Sequence, residues 1–283
     1  MKTPKRIVPL VEEGLIDEVM RQLMSGKEAT VYVVRCGDDI RCAKVYKEAD
    51  KRSFHQAVAY QEGRRVKNSR QARAMEKGTK YGRKMAEEVW QNAEVEALYR
   101  LAAAGVRVPT PFVCFEGVLL MELVTGADGN AAPRLNDVEL TRELALAYHK
   151  ALLRQVVLML CAGVIHGDLS EYNILVDAEG PVIIDLPQAI DAAGSSVAAS
   201  MLDRDVTNLA TFFSATVPEL AASQYGKEIW HLYEAGLLTP ETPLTGIVAL
   251  PDVPADVGAV MREIALAREE EAERVTYQMT VDS

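Results

Sequence analysis

The segment His166-Gly-Asp168-Leu-Ser-Glu-Tyr-Asn173-Ile-Leu, followed by Ile184-Asp185, constrains this chain more than any other stretch. Asp168 and Asn173 stand in D-x-x-x-x-N spacing on one loop, directly ahead of an apolar run. Ile174-Leu-Val-Asp177 and Val182-Ile-Ile-Asp185, joined through Ala178-Glu-Gly180, read as a small hairpin. Asp185 is expected to end the returning strand, so that pairing brings it back near Asn173. Phosphoryl transfer needs a carboxylate near the attacking hydroxyl and oxygen ligands for Mg²⁺ bridging the phosphates. One base and two hard oxygen donors converge here from a single short segment. Taken singly, Asp and Asn are common turn formers; the H-x-D motif, the spacing and the hairpin together are much rarer.

A second constellation lies at Ser25-Gly26-Lys27-Glu28-Ala29-Thr30-Val31-Tyr32. Its Gly-Lys pair does not make a Walker A loop: Arg21 stands where the upstream glycine is needed, and a β pattern rather than a helix follows. By itself the segment is as well read as a plain turn. Ahead of a hairpin whose second strand carries Lys44, it reads as a phosphate-covering loop. Apolar alternation flanks Lys44 in Cys42-Ala-Lys-Val-Tyr46, which predicts a buried cation in need of a carboxylate. The next helix offers Glu87, Glu88, Glu94 and Glu96.

The elements around these motifs follow from patterning. Thr30–Arg35 and Arg41–Tyr46, turned by Gly37-Asp-Asp39, predict a β-hairpin. A helical pattern runs from about Arg83 to Ala104 and Gly105 closes it. Val118–Val124 reads as a buried strand, Thr125–Asn130 as a hinge, and Leu140–Cys161 as the longest helix. The order is sheet, helix, strand, hinge, helix, hairpin, helices. That predicts an α+β, two-lobed fold: residues 1–124 as a small β-rich lobe, 125–283 as a mostly helical one with an acidic tail.

Composition sets the outer limits. Four scattered cysteines without CxxC spacing and only 4 histidines argue against a zinc site. No run reaches the ~20 apolar residues of a membrane span, and no signal-peptide core forms, so a cytoplasmic protein without a membrane partner is expected. The net charge of −10 hides an asymmetry. Residues 47–84 hold 12 Lys/Arg against 4 Asp/Glu, whereas 191–283 hold 5 against 15. The basic segment has a thin apolar stripe, which suits an arm facing RNA, a ribosomal particle or an acidic protein; folding back on the acidic lobe is the alternative.

The whole arrangement resembles the RIO-type atypical serine/threonine protein kinases, a bacterial member among them, over roughly residues 15–215. S-G-K-E-A-x-V-Y resembles that family's nucleotide loop, A-K-V-Y its strand lysine, M-E-L its interlobe hinge and H-G-D-L-S-E-Y-N-I-L its catalytic loop. I-D-L-P-Q resembles its metal-binding I-D-x-x-Q, and Asp203-Arg-Asp205-Val-Thr-Asn208 its following helix. The resemblance implies ATP and Mg²⁺, or Mn²⁺ in its place, as cofactors. It implies Ser25, Lys27, Glu28 and Val31 over the nucleotide, Lys44 on the α- and β-phosphates with Glu94 as its partner, and Met121 to Leu123 against the adenine. Asp168 would be the catalytic carboxylate, Asn173 and Asp185 the metal ligands, and Asp185 also the residue able to form a phosphoaspartate. The implied activity is serine phosphorylation of a protein, including this chain itself. Pro187 departs from the usual Ser of that motif, and no D-F-G or A-P-E is present.

Two other readings stay open on the sequence. Small-molecule kinases of the aminoglycoside phosphotransferase kind share H-G-D-L and a strand-end Asp, but favour I-D-W and lack S-G-K-E-A. An ATPase switch or assembly factor for ribonucleoprotein particles would use the same nucleotide site and suits the basic segment.

Overall fold

The computed structural model describes residues 3–26, 29–47 and 93–248. Met1–Ile247 forms one compact unit. The basic segment beyond Lys47, the helical pattern before residue 93 and the acidic stretch after 248 lie outside the described residues, as do Lys27 and Glu28.

Five antiparallel strands make the first part: β1 (Glu18–Ser25), β2 (Ala29–Cys36), β3 (Asp39–Tyr46), β4 (Pro111–Phe115) and β5 (Val118–Glu122), in the order β1-β2-β3-β5-β4. The predicted hairpin is β2–β3, with Gly37 in a left-handed turn. The sequence reading missed β1, for it buries little beyond Val19 and its pairing with β2 is broken by two register shifts. Alternation is the strand signal, and β1 has almost none. Across the sheet Met24 stands opposite Val31, Val31 opposite Lys44, and Lys44 opposite Leu119. Cross-strand partners point to the same face, so this row forms one line on the sheet.

A helix over 93–103 follows β3 in the description and ends in the left-handed Gly105, as expected. Its exit is fastened by Arg107. The Arg107 N–H donates to Gln155 Oε1 at 2.7 Å, its carbonyl accepts from Ile183 N at 2.8 Å, and its Nη2 meets Asp177 Oδ2 at 2.7 Å. The helix carrying Glu94 is thereby tied to the hairpin beside the catalytic loop.

The second part is built on the helix Arg142–Cys161, N-capped by the Thr141 hydroxyl. By length and composition this helix could cross a membrane, yet half of its apolar stretch is buried in the lobe, as in a core helix. Its His149 packs against Phe213 and Tyr225, and burial pushes the imidazole down to about 4, so it is a neutral core residue at neutral pH. Helices Ala198–Ser214 and Tyr225–Glu234 complete the lobe. The catalytic hairpin pairs β7 (Ile174–Asp177) with β8 (Gly180–Ile183), after a short β6 (Val164–Ile165) that pairs with β9 (Ile190–Asp191). One expectation is corrected: β8 ends at Ile183, two residues short of Asp185. Asp185 itself adopts φ 67°, a left-handed conformation that ladder pairing does not accommodate. The architecture is the two-lobed α+β fold expected.

Candidate active site

Lys44 holds the centre of the cleft. It is 8% exposed, and its Nζ lies 2.5 Å from Glu94 Oε1 and 3.0 Å from Asp185 Oδ1. Burial alone would lower the ammonium's pKa; the carboxylates of Glu94 and Asp185 outweigh it and hold the lysine above its ordinary value. Of the four glutamates that the sequence offered, only Glu94 and Glu96 are described. Glu94 turns inward at 4% exposure, while Glu96 is exposed. Asp185 differs, with its side chain 46% exposed toward the cleft. Partial burial would raise its carboxyl, but Lys44, with His166 and Arg134 beyond it, holds it below the usual carboxylate range.

The catalytic loop is held almost wholly through its backbone. Asp205, 2% exposed on the helix Ala198–Ser214, accepts from Gly167 N at 2.7 Å and Leu169 N at 3.1 Å. Burial raises its carboxyl, and His166 and the two N–H groups partly counter that. Arg204 Nη2 donates to the Gly167 carbonyl and Asn208 Nδ2 to that of Leu169. Buried His166 spans the loop and the hairpin: Nδ1 accepts from Asp168 N at 3.3 Å and Nε2 donates to the Ile184 carbonyl at 3.1 Å. Gly167 has φ 80°, and a Cβ there would sit 2.6 Å from the Gln188 carbonyl oxygen. Asp168 is left exposed with its carboxylate facing out, and Asn173 Nδ2 donates to its carbonyl at 2.8 Å. That bond leaves the Asn173 amide oxygen as a hard acceptor, while the Asn173 backbone carbonyl accepts from Ile184 N, next to Asp185, at 3.0 Å.

A pocket between the lobes is lined by Leu98, Leu119, Met121 and Leu186 on its apolar side and by Lys44, Glu94 and Asp185 at its polar end. Leu123 follows β5 half-buried, and Val31 sits on the row that carries Lys44. Ser25 is exposed at the end of β1. Lys47 Nζ fastens this turn, donating to Ser25 Oγ at 3.2 Å and to the Gly26 carbonyl at 2.5 Å. Lys47 is thus engaged within the chain rather than projecting as an arm. The structure therefore brings together Lys44, Glu94, Asp168, Asn173 and Asp185. The sequence reading assigned no role to Asp205, Asn208 or Arg107. Asp205 and Asn208 stood in the quoted helix motif, but their target is a loop more than thirty residues away.

A β-sheet roof with a buried lysine–glutamate pair, over a floor where an Asp…Asn loop faces an Asp beyond a hairpin, defines a protein-kinase-like phosphotransferase. Comparison with known proteins narrows the class. Residues 30–225 match the family model for the RIO domain. The chain is 35% identical over 214 residues to the RIO-type serine/threonine-protein kinase Rio1 of Haloferax volcanii, covering 73% of this chain and 67% of that protein. It is 30% identical over 226 residues to the serine/threonine-protein kinase rio1 of Schizosaccharomyces pombe, covering 75% and 41%. For the human serine/threonine-protein kinase RIO1 the identity is 29% over 214 residues, covering 75% and 36%. This chain belongs to the RIO family of serine/threonine-protein kinases. The matched region spans less than half the length of the fungal and human relatives. Membership favours a protein kinase using ATP over the small-molecule kinase.

Proposed function

We propose that this chain transfers the γ-phosphate of ATP to a serine hydroxyl of a protein, its own chain included, with Mg²⁺ or Mn²⁺ as the metal. The observation that carries the reading is the convergence of Lys44, Asp168, Asn173 and Asp185 on one cleft. The donor chemistry fits a divalent cation: Asp185 offers a carboxylate in the cleft and Asn173 an amide oxygen left free by its Nδ2 bond, with the phosphates completing the shell. Bound there, the cation would bridge phosphate oxygens and offset the charge that develops on them.

The chain's own groups do the rest. Lys44 holds phosphate oxygens once the nucleotide takes the place of Asp185 beside it. Asp168 orients the substrate hydroxyl and accepts its proton as the hydroxyl oxygen bonds to the γ-phosphorus. The bond from that phosphorus to the bridging oxygen breaks, and ADP leaves with the electron pair. The apolar wall from Leu98 to Leu186 excludes water behind the adenine. A protein acting in this way is expected in the cytoplasm.

ATP labelled at the γ-position tests the reading. Label is expected on serine, stable to hydroxylamine; label confined to water-released phosphate would favour the ATPase switch instead. If turnover runs through an acyl phosphate at Asp185, a second, hydroxylamine-labile label appears and Asp185→Ala removes it, together with metal-dependent ATP binding. Persistence of that label in the variant places the acyl phosphate elsewhere.

We extend the proposal to the basic segment 47–84, past Lys47, which is held within the chain, as a contact for RNA phosphates or a ribosomal particle, on the segment's excess of eight positive charges. Log affinity for RNA is expected to fall with log salt by nearly one unit of slope per neutralised phosphate. A flat salt response would assign the segment to contacts within the chain.

A further inference from the structure

Arg134 has entered so far only as a more distant charge acting on Asp185, with no ligand of its own. It lies on the segment after the hinge, where it is bridge-paired with Leu175 of β7 while the Pro133 carbonyl accepts from Val176 N at 2.9 Å. The next residues, the short turn Leu135–Asp137, pack on the turn Glu171–Asn173 of the catalytic loop. The backbone of Arg134 is thus fixed to the floor of the cleft. Its side chain leaves the floor and crosses to the roof, where Nη2 donates to Met24 Sδ at 3.1 Å. Met24 stands on the same cross-strand row as Val31 and Lys44. Floor and roof are joined at this point by one cation.

The partner is a poor one. A thioether sulfur is a weak acceptor, and among the described residues the half-buried guanidinium forms no ion pair. A thioether satisfies little of a guanidinium's donor capacity, and the guanidinium's forked donors match phosphate oxygens better than any other side chain. The strongest anion that this cleft is built to receive is the nucleotide's polyphosphate.

We propose that Arg134 is a second phosphate-binding cation of the cleft: it leaves Met24 and engages the polyphosphate, linking the floor at Leu175 to the bound nucleotide. The proposal rests on the nucleotide-binding reading above, and deepens it by a residue outside every motif that suggested the site.

Calorimetric affinities for ATP and adenosine, measured on the whole chain, test it. Arg134→Ala is expected to weaken ATP about 10- to 100-fold, the range of a charge-assisted contact, and to leave adenosine unchanged. Arg134→Lys, a point charge without the fork, should fall between. Met24→Leu removes only the resting acceptor and should bind both ligands as the unmodified protein does. Equal weakening of ATP and adenosine would mean that Arg134 merely supports the floor, and overturns the proposal. Unchanged ATP affinity overturns it too, and a raised KM for an acidic protein substrate alone would then reassign the residue to substrate recognition. If the unmodified chain binds no ATP, the nucleotide reading fails first and this one with it.

Discussion

With asparagine in place of Asp168, the protein is expected to bind ATP as before and transfer phosphate roughly 10²–10⁴ times more slowly, the usual contribution of a positioned general base. The separation of the two effects follows from how the loop is held. Gly167 N and Leu169 N go to Asp205, Asp168 N goes to His166, and the Asp168 carbonyl accepts from Asn173. None of these bonds involves the Asp168 carboxylate. The substitution therefore removes basicity and leaves the loop's shape, so stopped-flow nucleotide binding should be unaltered while single-turnover transfer collapses. A variant transferring at the unmodified rate would take Asp168 out of the mechanism.

Lys44→Met will show a second large effect, on stability as well as on rate. Transfer fails because nothing holds the phosphates. Stability falls because Glu94, only 4% exposed, keeps a buried carboxylate whose cation has gone. Breaking one side of a buried pair typically costs about 3–5 kcal/mol, a large share of the roughly 5–15 kcal/mol that holds a domain together. Thermal unfolding should drop by about 10 °C for a domain of this size. Adding Glu94→Gln to the same chain should restore much of the melting temperature and none of the activity. A single Lys44→Met variant that melts with the unmodified protein would show that Glu94 readily protonates or finds another donor.

What could be read beforehand was what is encoded locally. The hairpins at 29–46 and 174–183, the capped helix Arg142–Cys161 and the Asp…Asn loop each carry their signal within a few residues. The partner of Lys44 was different: four glutamates satisfied the local requirement, and only the family resemblance singled out Glu94, fifty residues along the chain. Strand β1 escaped because an exposed edge strand with irregular pairing has little alternation to detect. Asp185 was placed one element too early, since a left-handed residue after a strand looks, in sequence, like the end of that strand. The roles of Asp205 and Arg134 were illegible for a plainer reason. Each side chain meets atoms far away in sequence: the motif around Asp205 does not reveal its target, and no motif surrounds Arg134.

The turn at Gly167 bears on how such an enzyme can be governed. In conventional protein kinases the residue between His and Asp is an arginine, and kinase activation loops become ordered when a new phosphate pairs with an arginine. Here the position turns left-handed, and even a Cβ would meet the Gln188 carbonyl oxygen. No side chain of any length can extend from it. The catalytic loop therefore stands assembled on Asp205 and His166 without a phosphate receptor at this position, which closes that route to an on–off switch. Whatever governs this loop acts without an arginine–phosphate contact at Gly167.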